Sequence, residues 1–175
     1  METSLRARVL TIGRRLRWVV RGLLGATALS VGWVLLVRGP LGLLRLPASV
    51  ALRPHGLSAG GAALAVTLGL LVPACHVAGL LAMDRLFGLY ARGEVFTSRP
   101  LATVRLVGYA LLAVDPVRTL VSALTGPLLT WLGATEPFVS VEFGVSMLIA
   151  GLFVVAIGTV LDLGQALDET DRLTV

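Results

Sequence analysis

Long apolar runs broken by short clusters of charge set the pattern of this chain. Trp18 to Val37 gives twenty residues interrupted only by Arg21, which at about 1.5 Å per residue crosses the roughly 30 Å hydrocarbon core of a bilayer. Arg21 is near enough to the end of that run to snorkel to the headgroups. Upstream, Leu5, Val9, Ile12 and Leu16 recur at helical spacing among Arg6, Arg8, Arg14, Arg15 and Arg17, which predicts a short interfacial helix over 4–17. No formal charge falls between Arg53 and Asp84, so a second span is expected over 57–83, with Pro73 as a site for a kink. A third, over 105–126, contains Asp115, Pro116 and Arg118 and scores weakest on hydropathy. The fourth, 143–162, lies between Glu142 and Asp162 and is close to the minimum length for crossing. The fold class expected is an all-α membrane protein: four transmembrane helices preceded by the short interfacial helix.

The connections are short. Phe138 to Phe143 alternates apolar and polar residues, and Leu44 to Leu52 is aliphatic around Pro47; a small strand pair and irregular headgroup loops fit these stretches equally. The middle connection is more structured. Gly93 can end a helix by taking a positive φ, and Thr97 or Ser98 can cap a new one with Pro100 in its first turn. Helix, tight turn and helix are expected there, with Phe87, Tyr90 and Phe96 as interfacial anchors.

Composition agrees with lipid as the solvent. Hydrophobic residues make up 56% and charged residues 14% of the 175, against about 25% charged in soluble domains. The net charge is +5 and every basic residue is arginine. Because the arginines flank apolar runs, they suit anionic headgroups and membrane orientation, and no direct nucleic-acid binding is expected. Residues 1–17 carry five arginines, 84–105 carry four and the tail carries Arg172, against Arg38, Arg45 and Arg53 on the other side. Ten against three places both ends and the middle loop in the cytoplasm, N-in and C-in. The organisation is then a basic segment 1–17, a transmembrane domain 18–162 and an acidic tail 163–175. The N-terminal run resembles a signal peptide, but Arg38, Gly39 and Pro40 follow it with no small-x-small cleavage pattern, so it reads as an uncleaved first helix. Cys75 is the sole cysteine, which excludes an intramolecular disulfide and a cysteine-built zinc site.

Charges inside the spans carry the candidate chemistry. Asp115 and Arg118 are three apart and share a helix face. Each alone in hydrocarbon costs about 2.5 to 3.5 kcal/mol on insertion scales, so they are expected to pair. Two readings follow: a structural pair that locks helix packing, or a proton or ion path that adds His76 from the second span. Cys75 and His76 are adjacent in sequence but point about 100° apart on a helix, which makes them packing residues before a nucleophile and base. No metal spacing, phosphate loop or intramembrane protease motif is present, so neither enzymatic activity nor a cofactor is expected. Gly144, Gly151 and Gly158 recur every seven residues, a small-residue face for close helix contact within the chain or in a homo-oligomer.

The middle loop reads Leu86-Phe87-Gly88-Leu89-Tyr90-Ala91-Arg92-Gly93-Glu94-Val95-Phe96-Thr97, followed by Arg105-Leu106-Val107-Gly108-Tyr109. This resembles the signature of bacterial membrane proteins classed as domain-of-unknown-function family 2975, "LFxLYxxGEVFT" and then "RxxGYxLL". The ending Asp168-Glu169-Thr170-Asp171-Arg172-Leu173-Thr174-Val175 is similar to that family's acidic close. The likeness covers residues 85–175 by motif and the first half by hydropathy. It departs after Thr97, where Ser98-Arg99-Pro100 stands in place of the family's acidic residue and asparagine. The resemblance implies four membrane helices in a bacterial plasma membrane, no assigned activity, and a small helix-turn-helix regulator as a neighbouring partner.

Two functions are therefore expected to compete. The leading one is a non-enzymatic membrane protein whose cytoplasmic loop (Tyr90, Arg92, Gly93, Glu94, Phe96, Thr97) and acidic tail dock a partner; the bland reading of that loop is a structured connection. The rival is a small transporter or channel subunit using Asp115, Arg118 and His76.

Overall fold

The computed structural model describes the backbone of residues 2–44, 46–47, 50, 58–93 and 98–173. Four α-helices carry the chain: α1 (Glu2–Arg38), α2 (Ala59–Tyr90), α3 (Ser98–Trp131) and α4 (Ser146–Leu173), with a 3-10 turn at Pro40–Leu43. All four are long and apolar enough to cross a membrane. The basic stretch 4–17, expected as a separate helix, continues without a break into the first span. Its Gly13 rests on the end of α2: a Cβ there would lie 3.0 Å from the Ala91 nitrogen and 3.3 Å from the Tyr90 carbonyl carbon. Helix α1 thus runs on along α2.

The helices form a row in which α1 packs on α2, α2 on α3 and α3 on α4. Among the described residues α4 touches neither α1 nor α2, so the expected bundle is an open row with a concave side. Backbone approach explains the α3–α4 contact. A Cβ on Gly151 would sit 2.7 Å from the Leu112 nitrogen and 2.8 Å from the Gly108 oxygen. Gly158 meets the side chains of Arg105 and Val104, and Gly144 meets the Asp115 carboxylate. The seven-residue glycine stripe therefore serves a contact within the chain, and Gly151 and Gly158 are the buried residues of the described part of α4.

Ion pairs fasten the end of the row that carries both termini. Arg17 Nε and Nη2 donate to Asp84 Oδ1 and Oδ2 at 3.1 and 3.3 Å, and Arg21 Nε donates to the same Oδ1 at 3.1 Å. Arg21, expected to snorkel to headgroups, thus has a protein partner. Arg105 pairs with Asp162, joining α3 to α4 at that end. Gly93 closes the turn after α2 with φ 82°, as the helix-stop reading requires. At the opposite end Leu44, Ala65, Leu129 and Ala134 form a small core, with Leu41, Leu46, Leu68 and Phe138 against it.

Helices α2 and α3 run past residues 83 and 105, beyond the expected span limits, because the charged residues there are paired rather than terminating. The segment 136–145 is irregular and no strand pair occurs among the described residues; most of 45–57 lies outside them.

Candidate functional site

The concave side of the row encloses a cavity of about 530 Å³, open on one side. Each of three helices gives it one face at helical spacing: Leu23, Thr27, Ser30 and Val31 from α1; Gly69, Val72, Pro73, His76 and Leu80 from α2; Val114, Asp115, Arg118, Val121, Ser122 and Thr125 from α3. Those intervals of three, four, seven and eight are the rows that stay on one side of an α-helix. The start of α4 closes the floor with Ser146 and Met147. The structure therefore brings together His76, Asp115 and Arg118, three residues from two expected spans.

It does not pair Asp115 with Arg118. Arg118 reaches Glu142, Nε at 3.0 Å and Nη2 at 2.6 Å from Oε2. Asp115 turns to α4, where its Oδ2 accepts the backbone N–H groups of Met147 at 2.9 Å and Leu148 at 3.0 Å. Helical neighbours three apart lie side by side, but the first turn of α4 offers Asp115 two otherwise unsatisfied donors and the positive end of a dipole. The carboxylate, only 3% exposed, caps a helix whose bound amides lie 32 and 33 residues downstream. Its Oδ1 accepts no hydrogen bond from the described residues, and Gly144 lies against it, where a Cβ would come within 2.8 Å.

Glu142 is the residue that sequence reasoning left as a mere boundary. Its backbone N–H donates to Ser122 Oγ at 3.0 Å, its backbone oxygen accepts from Thr119 Oγ1 at 3.0 Å, and its carboxylate takes Arg118. Three residues within five positions of α3 thus hold both backbone groups and the side chain of one loop residue. The need is physical, since backbone outside a helix and away from water must find its hydrogen bonds in neighbouring groups. The signal available in sequence was the acid in the alternating stretch 138–143, together with Ser and Thr at positions 119 and 122 on an otherwise aliphatic helix.

His76 donates Nδ1–H to the Val72 oxygen at 2.9 Å, since only the ring can supply the proton; in the neutral ring this leaves Nε2 as an acceptor. Cys75 is half-buried on the neighbouring helical position and does not line the cavity. Of the loop residues, Tyr90 is half-buried, with its ring centroid 6.4 Å from that of Phe87 and its backbone under Gly13. Arg92 and Gly93 are exposed. Glu94, Phe96 and Thr97 lie outside the described residues, as do the side chains of the acidic tail.

Residues 15–175 match the family described as protein of unknown function DUF2975. The chain belongs to that family. Membership of DUF2975 covers essentially the whole chain, reaching back through α1, where hydropathy alone carried the likeness. The DUF2975 match therefore includes every residue that lines the cavity. No curated protein and no solved structure matches the chain.

Proposed function

We propose that this chain is a non-enzymatic multi-pass protein of the bacterial plasma membrane that binds a small ligand in the cavity between α1, α2 and α3, as a transporter subunit or receptor does. The observation that carries the reading is the convergence of Asp115, Arg118, His76 and Glu142 on one open cavity in the middle of helices long enough to cross lipid. Ionisable groups at that depth are costly and mark binding sites or pathways. The volume falls within the roughly 300 to 1,000 Å³ typical of small-molecule sites. Orientation rests on the arginine count: the paired end, with the start of α1, the turn 91–93 and the end of α4, faces the cytoplasm, and the basic segment 4–17 lies at that surface.

The geometry of residues 90–93 gives less to partner docking. Tyr90 is engaged with Phe87 and α1, which suits a structured connection, and the docking reading retains the exposed Arg92 and Gly93.

The test is native mass spectrometry of the full chain released from nanodiscs, comparing wild type with Ser30→Trp, which fills the cavity from α1. A small-molecule adduct on wild type that is lost in a folded Ser30→Trp variant supports the reading. An adduct retained by that variant, or absent from both proteins, contradicts it.

A further inference from the structure

The hydrogen-bonding inventory of the cavity points to a class of ligand, an inference that rests on the binding reading above. The hydroxyls on its walls have spent their protons on their own helices. Thr27 Oγ1 donates to the Leu23 oxygen at 2.8 Å, Ser30 Oγ to the Thr27 oxygen at 2.8 Å, and Thr125 Oγ1 to the Val121 oxygen at 2.7 Å. A hydroxyl carries one proton and two lone pairs, so each of these presents acceptors only. The neutral ring of His76 does the same through Nε2, its Nδ1–H being committed to Val72. Pro73 has no N–H, so the carbonyl of Gly69, a residue of the cavity wall, lacks its helical donor and adds one more acceptor. The donors remaining are few: the Ser146 hydroxyl and backbone N–H, and the Arg118 N–H groups on Nη1 and Nη2 that Glu142 does not hold.

Charge runs the same way. Asp115 and Glu142 bring two negative charges to the lining against one positive charge from Arg118. The N-terminus of α4 offsets about half a charge at Asp115, and the remainder is still negative. The rest of the wall is aliphatic, from Leu23, Val31, Val72, Leu80, Val114 and Val121.

We propose that the cavity binds an organic ammonium group bearing a short apolar body, with Asp115 and Glu142 supplying the field and the wall hydroxyls and His76 accepting its hydrogen bonds or facing its methyl groups. Such a cation is found free in water or as the headgroup of a choline or ethanolamine lipid; the chemistry recognised is shared.

The test reads the field inside the cavity. Full-length protein carrying Cys75→Ala and Ser30→Cys is reconstituted in phosphatidylglycerol nanodiscs, which contain no ammonium headgroup. The thiol is reacted with methanethiosulfonates of equal size bearing a trimethylammonium or a sulfonate. Val139→Cys, on the exposed loop, corrects for surface potential and intrinsic reactivity. A cation preference at residue 30 about tenfold above that at 139, reduced by Asp115→Asn and by Glu142→Gln, is the expected result. Protection by added hexyltrimethylammonium then assigns a free cation, and protection on moving to phosphatidylcholine discs assigns a lipid-borne one. An equal or anion-favouring ratio overturns the ammonium assignment while leaving a water-filled binding cavity in place. A thiol at 30 that reacts with neither reagent, while 139 reacts with both, removes the cavity and the binding reading together.

Discussion

Glycine at 151 shows how tightly a single position is fixed. Any side chain there meets the Leu112 amide and the Gly108 carbonyl, both backbone, so the neighbour cannot yield by turning a rotamer. Gly60 faces open space. Gly151→Ala is therefore expected to destabilise the protein by about 1 to 3 kcal/mol, whereas Gly60→Ala stays near neutral or gains helix propensity. Thermal unfolding in detergent checks both, and equal melting points for the two variants would contradict the close α3–α4 approach. The glycine stripe was legible because a seven-residue spacing needs only the sequence. Its partner was not, since a small-residue face looks the same whether it meets a neighbouring helix or a second chain.

For the elements, the number and order of the helices came through from hydropathy, while their lengths and ends did not. Charges were read as boundaries, and Asp84, Arg105 and Asp162 are instead paired across helices, so the helices continue past them. Asp115 illustrates the same difficulty within a span. Spacing on α3 makes Arg118 its natural neighbour, and nothing local in the sequence shows that residues 146–148 return to the middle of α3. As a remote cap, Asp115 supports the first turn of α4. Asp115→Ala is expected to cost about 0.5 to 2 kcal/mol, with faster hydrogen exchange confined to the Met147 and Leu148 amides and their turn. Asp115→Asn, which keeps an acceptor oxygen, is expected to retain most of that protection. Unchanged exchange at 147 and 148 in the alanine variant would contradict the capping role.

At the scale of the whole molecule, four helices long and apolar enough to cross a membrane were legible because apolar runs of that length have few other uses. The open row was not, because pairing among four helices depends on contacts that hydropathy does not encode. Its consequence is functional: a closed ring of four helices would bury the polar stripes against each other, whereas the row leaves α1, α2 and α3 facing a shared space. The family match extends over that whole arrangement.

The most direct measurement is a cysteine scan of α2 in a Cys75→Ala chain, labelled in intact membranes from the outer side with a charged, membrane-impermeant thiol reagent. Positions 72, 76 and 80 line the cavity, while Leu71, Ala74, Ala78 and Leu81 are exposed on faces that do not line it. Labelling at 72, 76 and 80, with none at 71, 74, 78 and 81, is the result expected of a water-filled cavity on one face of a lipid-embedded helix. Labelling on both faces alike, or at no position from 72 to 80, would contradict it.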